Sequence, residues 1–152
     1  MPIAPLDPYS KAAAELLALS DAYMASLYPA ESNHMESPAA LAQRHVRLIG
    51  LTIDGELVGC GAVKILEGDE RYGEIKRVFV KDRHRGRGFS SQLMADLEHH
   101  LREQGIALAR LETGIHQPEA LALYRKLGYV ERPPFGAYRA DPLSVFMEKR
   151  LN

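Results

Sequence analysis

Val78-Phe79-Val80-Lys81-Asp82-Arg83-His84-Arg85-Gly86-Arg87-Gly88-Phe89-Ser90-Ser91-Gln92-Leu93 is the stretch that decides the fold. An apolar, β-rich run enters it, a basic loop with two glycines follows, and an amphipathic segment leaves it. Phe89, Leu93, Met94, Leu97 and Leu101 recur at helical spacing, and Gly105 stands where a helix C-cap belongs. A loop feeding a helix N-terminus is an anion site: the N–H groups at 86–91 converge, and the helix dipole adds partial positive charge. Glycines at 86 and 88 let the main chain approach a phosphate closely and adopt positive φ. Lys76, Arg77, Lys81, Arg83, Arg85 and Arg87 crowd the same region. A solvated basic loop that merely caps a helix is the plain alternative. Two nucleotide motifs do not fit. The dinucleotide fingerprint wants a third glycine where Ser91 stands, and wants it directly after the strand. A P-loop needs Gly-Lys-Ser/Thr, and Gly88-Phe89-Ser90 lacks the lysine.

Outward from this stretch the pattern is regular. A short strand over 3–6 precedes a helix capped by Ser10, with Ala12, Leu16, Leu19, Tyr23 and Leu27 at helical spacing and a stop before Pro29. Pro38 opens a second helix over 38–44. Two β-rich runs, 46–53 and 56–66, flank Asp54-Gly55 and predict a hairpin. Strands follow over 72–80, 106–113 and, at an edge, 144–149, with helices over 89–104 and 120–127. The order is β-α-α-β-β-β-α-β-α-β. A strand–helix–strand crossover at 72–113 makes one pair parallel within a mostly antiparallel sheet, an α/β (α+β) domain.

With 152 residues and no internal repeat or linker, residues 1–152 read as a single domain. Nineteen basic and twenty acidic side chains leave a formal charge of -1, so no global field collects nucleic acid or anionic lipid. Cys60 is the lone cysteine and lies mid-strand between two glycines, as a small core residue would; a cytoplasmic, reducing setting is expected. The chain has no apolar run of membrane-spanning length and no signal-peptide pattern, so no membrane partner is expected. His34, His45, His84 and His116 show no ligand spacing, and His99-His100 point apart on a helix, so no metal is expected.

The run from Val78 to Leu93 resembles the coenzyme A-binding motif of the GCN5-related N-acetyltransferases, the GNAT family. That pattern is Arg or Gln, two residues, Gly, one residue, then Gly or Ala; Arg85, Gly88 and Ser90 take its positions, Ser90 as the departure. Gln117-Pro118-Glu119-Ala120-Leu121-Ala122-Leu123-Tyr124-Arg125-Lys126-Leu127-Gly128-Tyr129 resembles the family's second signature, with Gln117 where Asn is common. The two motifs and the element order cover nearly the whole chain. Further stretches, 111–120, 133–136 and 142–145, look like a bacterial subgroup whose acceptors are mostly unassigned.

The resemblance implies a GNAT-type domain whose sheet splays between strands 4 and 5. Acetyl-CoA would lie in the gap as co-substrate, and acetyl would pass directly to a primary amine of a small molecule, amino acid or protein. It implies cofactor contacts at Val78, Phe79, Val80, Arg85, Gly86, Arg87, Gly88, Phe89, Ser90, Ser91, Gln117 and Tyr124. Tyr124 is the expected general acid toward the departing thiolate, acting mainly as a hydrogen-bond donor, because phenol near ~10 is a weaker acid than a thiol near ~8.5. Glu74 is the expected base, on the cleft floor: unbroken alternation places Glu74, Lys76, Val78 and Val80 on one strand face. A surface ion pair of Glu74 with Lys76 or Arg77, leaving ordered water as base, is the alternative. Glu31, Asn33, His34, Thr113 and Tyr138 are the expected acceptor contacts, and the acidic side chains Glu31, Glu36 and Glu74 favour a cationic acceptor. Two rival readings stand beside the enzyme: a non-catalytic acyl-CoA sensor or interaction module on the same fold, and a nucleic-acid reader. The second lacks aromatic platforms beyond Phe79 and Phe89. Nothing in the residues chooses monomer over homodimer.

Overall fold

Residues 2–152 are described in a computed structural model. Asp54 and Gly55 adopt φ of 51° and 81°, the pair of positive values that a tight two-residue hairpin turn demands. They join β2 (Val46–Ile53) to β3 (Glu56–Leu66), and both strands are buried on both faces in their middles because helices cover each side of the sheet. β3 pairs antiparallel with β4 (Tyr72–Val80), and β4 pairs parallel with β5 (Leu108–Gly114). β7 (Ser144–Arg150) lies antiparallel to β5, with β6 (Val130–Arg132) outside it and β1 (Ile3–Pro5) at the far edge, giving the order β1-β2-β3-β4-β5-β7-β6.

On one face lie α3 (Phe89–Glu103) and α4 (Pro118–Lys126). Leu93, Met94, Leu97 and Leu101 of α3 are fully buried against Ile49, Leu51, Val58, Ile75 and Leu111. Gly73 admits α3 at close range, since a Cβ there would stand 2.3 Å from Leu101 Cδ2. The other face carries α1 (Lys11–Leu27), whose N-cap Ser10 accepts from Ala13 N, and the single turn α2 (Pro38–Leu41). Leu16, Leu17, Leu41, Leu48, Cys60 and Ala62 pack together there.

Four sequence expectations change. The helix over 38–44 stops at Leu41. The strand expected from Ile106 begins at Leu108, because the Ile106 N–H closes back onto Leu101 O and extends the end of α3. β7 is interior rather than an edge; β6, three residues with Val130 exposed, is too short to show an alternating pattern and covers it.

The fourth change concerns β4. Cys60 pairs with Phe79 and Ala62 with Lys76, so β4 holds one residue more than β3 opposite it. Arg77 takes φ of 59° at this bulge, a left-handed conformation that costs a non-glycine residue about 1–3 kcal/mol. Cys60 Sγ donates to Arg77 O at 3.3 Å, and Arg77 Nη1 donates to Asp21 Oδ1 at 2.6 Å, which hold it there. Bulges bend the strand that carries them. The β4–β5 ladder accordingly runs only from Gly73↔Ala109 to Ile75↔Leu111, and the strands part beyond it. The expected splay is present.

The bulge also reverses the strand's phase. Glu74 and Lys76 face α1, α2 and the segment before β7, with Lys76 paired to Glu36 and Tyr138 bonded to Glu74. Val78 and Val80 face α3, beside Gly61 and Gly59. Glu74 therefore does not share a face with Val78 and Val80, contrary to the expectation from unbroken alternation.

Candidate functional site

The parting of β4 and β5 opens a cleft of about 630 Å³. Its floor runs from Ile75 to Val80 on β4 and from Leu111 to Gly114 on β5, and α1 roofs it through Ser20, Tyr23, Met24 and Tyr28. At one end it meets Arg85, Gly86, Gly88, Phe89, Ser90 and Ser91. Gly86 and Gly88 adopt φ of 81° and 79°, and a Cβ at either would meet nothing within 4 Å. The glycines are there for the backbone conformation rather than for space. No side chain caps α3 at Gly88, so the first-turn amides remain free for an anion. His84, beside this end, has a buried Nδ1 with no partner. An unpaired strand edge, a run of free amides and an orphaned ring nitrogen suit an elongated ligand with a diphosphate at one end and amide groups along its length.

Arg85 lines the cleft and is also tied into the fold. Its Nε donates to Val80 O at 2.9 Å, and its guanidinium lies 4.7 Å from the Tyr23 ring centroid and 5.4 Å from that of Phe79. It fastens the loop to the end of β4 and to α1. Arg87 is exposed and does not line the cleft. Gln117, at the N-terminus of α4, does, and its Oε1 accepts from Tyr28 OH at 3.1 Å.

Tyr124 enters from α4 and is 8% exposed within the cleft wall. Burial first, then the Glu112 carboxylate, push its phenol up to about 12. Its ring meets the edge of Tyr129 at 6.0 Å, and Tyr129 is anchored by donating to Glu98 at 2.9 Å, which also accepts from Lys149 at 2.8 Å. The hydroxyl thus stays protonated and sits on a rigid support.

The acceptor end differs most from expectation. Glu74 is buried beneath a short relay in which Lys76 Nζ donates to Tyr138 OH at 2.8 Å and Tyr138 OH donates to Glu74 at 2.5 Å. It does not line the cleft, and neither do Glu31, Asn33 or Tyr138; Glu31 is exposed, while Asn33 Oδ1 is buried without a partner. His34 and Thr113 do line it. Glu36 and Glu74 are both within reach of Lys76, at 3.1 and 3.7 Å, so the charges that favoured a cationic acceptor are largely spent inside the protein.

Glu112 and Tyr28 are among the lining side chains that the sequence reading did not place here. Glu112 lines the cleft from β5, and burial pushes its carboxyl up to about 7, against an opposing hydrogen bond from Ser144 Oγ at 2.9 Å. In the sequence Glu112 is an acid within an otherwise apolar-rich strand. Tyr28 ends α1 and ties it across to the β5–α4 connection: its hydroxyl accepts from His116 N at 3.1 Å, and its ring stacks on His116 at 5.4 Å. Gly114 makes the space, because a Cβ there would fall 1.8 Å from the Tyr28 hydroxyl.

Comparison with known proteins agrees with this geometry. The acetyltransferase (GNAT) family profile matches residues 13–129. An IAA acetyltransferase of Azospirillum brasilense is 42% identical over 98% of this chain and 97% of its own length. A solved Klebsiella pneumoniae structure, described as an acyl-CoA N-acyltransferase, superposes with a TM-score of 0.81 at 38% identity, covering 99% of this chain and 97% of that one. The PaiA N-acetyltransferase of Thermoplasma acidophilum, solved with coenzyme A, shares the fold at 17% identity, with a TM-score of 0.74 over 97% of each chain.

Proposed function

The chain belongs to the GNAT family of acetyl-CoA-dependent N-acetyltransferases, and from that premise we propose that acetyl passes directly to a primary amine in the cleft between β4 and β5. The carrying observation is the continuity of that cleft, from the free amides before α3, past the unpaired edge of β4, to the Tyr124 hydroxyl. The amides at 86–91 bind the diphosphate of acetyl-CoA, and the edge from Lys76 to Val80 aligns the pantetheine arm as an added strand would. Arg85 holds the two regions in register. Tyr124 donates a hydrogen bond to the sulfur as charge develops on it. Its phenol at about 12 lies too far above a thiol near ~8.5 for a completed proton transfer to help. A reducing, cytoplasmic setting accords with the single buried thiol of Cys60. Among the described residues, no helix is long and apolar enough to cross a membrane.

Calorimetry with coenzyme A, together with thiol release from acetyl-CoA across a panel of amines, tests this reading. Coenzyme A binds, thiol release depends on the amine, and Tyr124→Phe lowers turnover at least tenfold with acetyl-CoA affinity nearly unchanged. A protein that binds no coenzyme, or that releases no thiol with any amine, overturns it; binding without turnover would instead describe a sensor.

A further inference from the structure

Most carboxylates near the acceptor end of the cleft already have partners within the protein. Glu36 and Glu74 contact Lys76. Asp21 holds Arg77. Asp141 accepts from Ser32 Oγ at 2.6 Å and from Leu143 N at 2.8 Å. Glu112 accepts a single hydrogen bond, from Ser144 at Oε2, and forms no ion pair among the described residues, while lining the same cleft as Tyr124 and Thr113. Its second oxygen is therefore available to a molecule in the cleft.

We propose that Glu112, rather than Glu74, is the catalytic base that removes the acceptor's proton, an assignment that rests on acetyl transfer in this cleft. The two strands explain why the role moves. Glu74 lies where β4 and β5 are still paired, opposite Arg110, and is closed over by Tyr138. Glu112 lies two residues further along β5, past the last ladder pair, where the strands have parted.

The groups facing Glu112 are Lys76 and Glu74 from β4, Tyr28 from α1 and Tyr124 from α4. Asp141 and Tyr138 face it from the segment before β7, and Ser144 from β7 itself. Burial outweighs the Ser144 hydrogen bond and the Lys76 charge, so the carboxyl titrates at about 7 instead of 4.5. At that value it takes a proton from an ammonium roughly three hundredfold more readily than an ordinary glutamate does.

The step balances without another reactant. The incoming ammonium gives one proton to Glu112. The freed lone pair attacks the thioester carbonyl carbon, so a C–N bond forms as the C–S bond breaks. The second amine proton ends on the thiolate, which Tyr124 steadies meanwhile, and Glu112 then returns its proton to water. Products are the amide, free thiol and one proton.

The test is the pH dependence of kcat/KM for wild type, Glu112→Gln and Ser144→Ala, with coenzyme A affinity measured for each. Wild type shows an ascending limb near 7. Glu112→Gln loses at least 100-fold at pH 7 and recovers as pH nears the amine's own value of ~10, with coenzyme A affinity within about twofold of wild type. Ser144→Ala removes a donor that favours the ionised carboxylate, so its limb moves to higher pH. A Glu112→Gln enzyme that keeps the limb near 7 and most of its rate overturns the assignment. If Glu112→Gln fails to fold or to bind coenzyme A, an unmoved limb in Ser144→Ala overturns it equally. Failure of wild type itself to bind coenzyme A defeats the acetyl-transfer reading and is thereby distinguishable.

Discussion

Glu74 and Glu112 face the same side of the sheet from neighbouring strands, and their surroundings separate them. Glu74 is enclosed with Lys76 and Tyr138; Glu112 is desolvated with one hydroxyl as partner. The second arrangement leaves a mark on stability. The folded state holds the Glu112 proton more tightly than the unfolded chain does, about 7 against 4.5. Its contribution therefore favours folding in full below 4.5 and is lost as pH rises through about 7. The full interval would be worth roughly 3 kcal/mol, less whatever the open cleft lets solvent recover, so about 1–3 kcal/mol is expected. Urea melts of Glu112→Gln should show it more stable than wild type by that amount at pH 8 and nearly equal at pH 4. A less stable variant at pH 8 would mean that the carboxylate is not desolvated as described. A group that lowers stability where it would serve the reaction follows the usual trade between activity and folding.

Among the elements, the contact between α1 and the end of β5 sets the width of the cleft. Tyr28 closes it by bonding across to His116 N and Gln117, over a glycine at 114 that leaves no room for a methyl group. Gly114→Ala would place its Cβ 1.8 Å from the Tyr28 hydroxyl and force that side chain out. Overpacking of this kind costs about 1–3 kcal/mol. Thermal denaturation should show the loss, and the acceptor's KM should rise more than that of acetyl-CoA, whose diphosphate end lies at the other end of the cleft. Adding Tyr28→Ala removes the clash, so the double variant should be more stable than the sum of the two single changes implies. Simple additivity would mean that the two residues do not meet.

For the molecule as a whole, the feature of consequence is a sheet with an open seam in its middle. β4 and β5 pair only from Gly73↔Ala109 to Ile75↔Leu111, which leaves backbone groups of Lys76 to Val80 to be satisfied by water or ligand. A ligand that completes the seam stabilises the fold by mass action, about 2.7 kcal/mol at a hundred times its Kd. For a domain of this size that corresponds to a rise in Tm of roughly 5–11 °C. Coenzyme A should produce that shift and slow hydrogen exchange at Lys76–Val80. A Tm shift with exchange there unchanged would put the ligand elsewhere.

Much of this was legible before the fold was known, and the reason is locality. Asp54-Gly55 specifies a hairpin within two residues. The anion site is contiguous backbone, so Gly86, Gly88 and the helix from Phe89 disclose it in linear order, and Tyr124 is marked by its neighbours from Gln117 to Tyr129. The base is legible only in three dimensions. Counting alternate residues along β4 presumes an unbroken pleat, and one extra residue at Arg77, held by Cys60 and Asp21 from other elements, turns Glu74 away from Val78 and Val80. Likewise Glu112 owes its high proton affinity to desolvation by segments far apart in the chain, and Tyr28 reaches the cleft only because Gly114 lies opposite it. Short-range backbone chemistry is written in residue order; burial and the phase of a bulged strand are set by what packs against them.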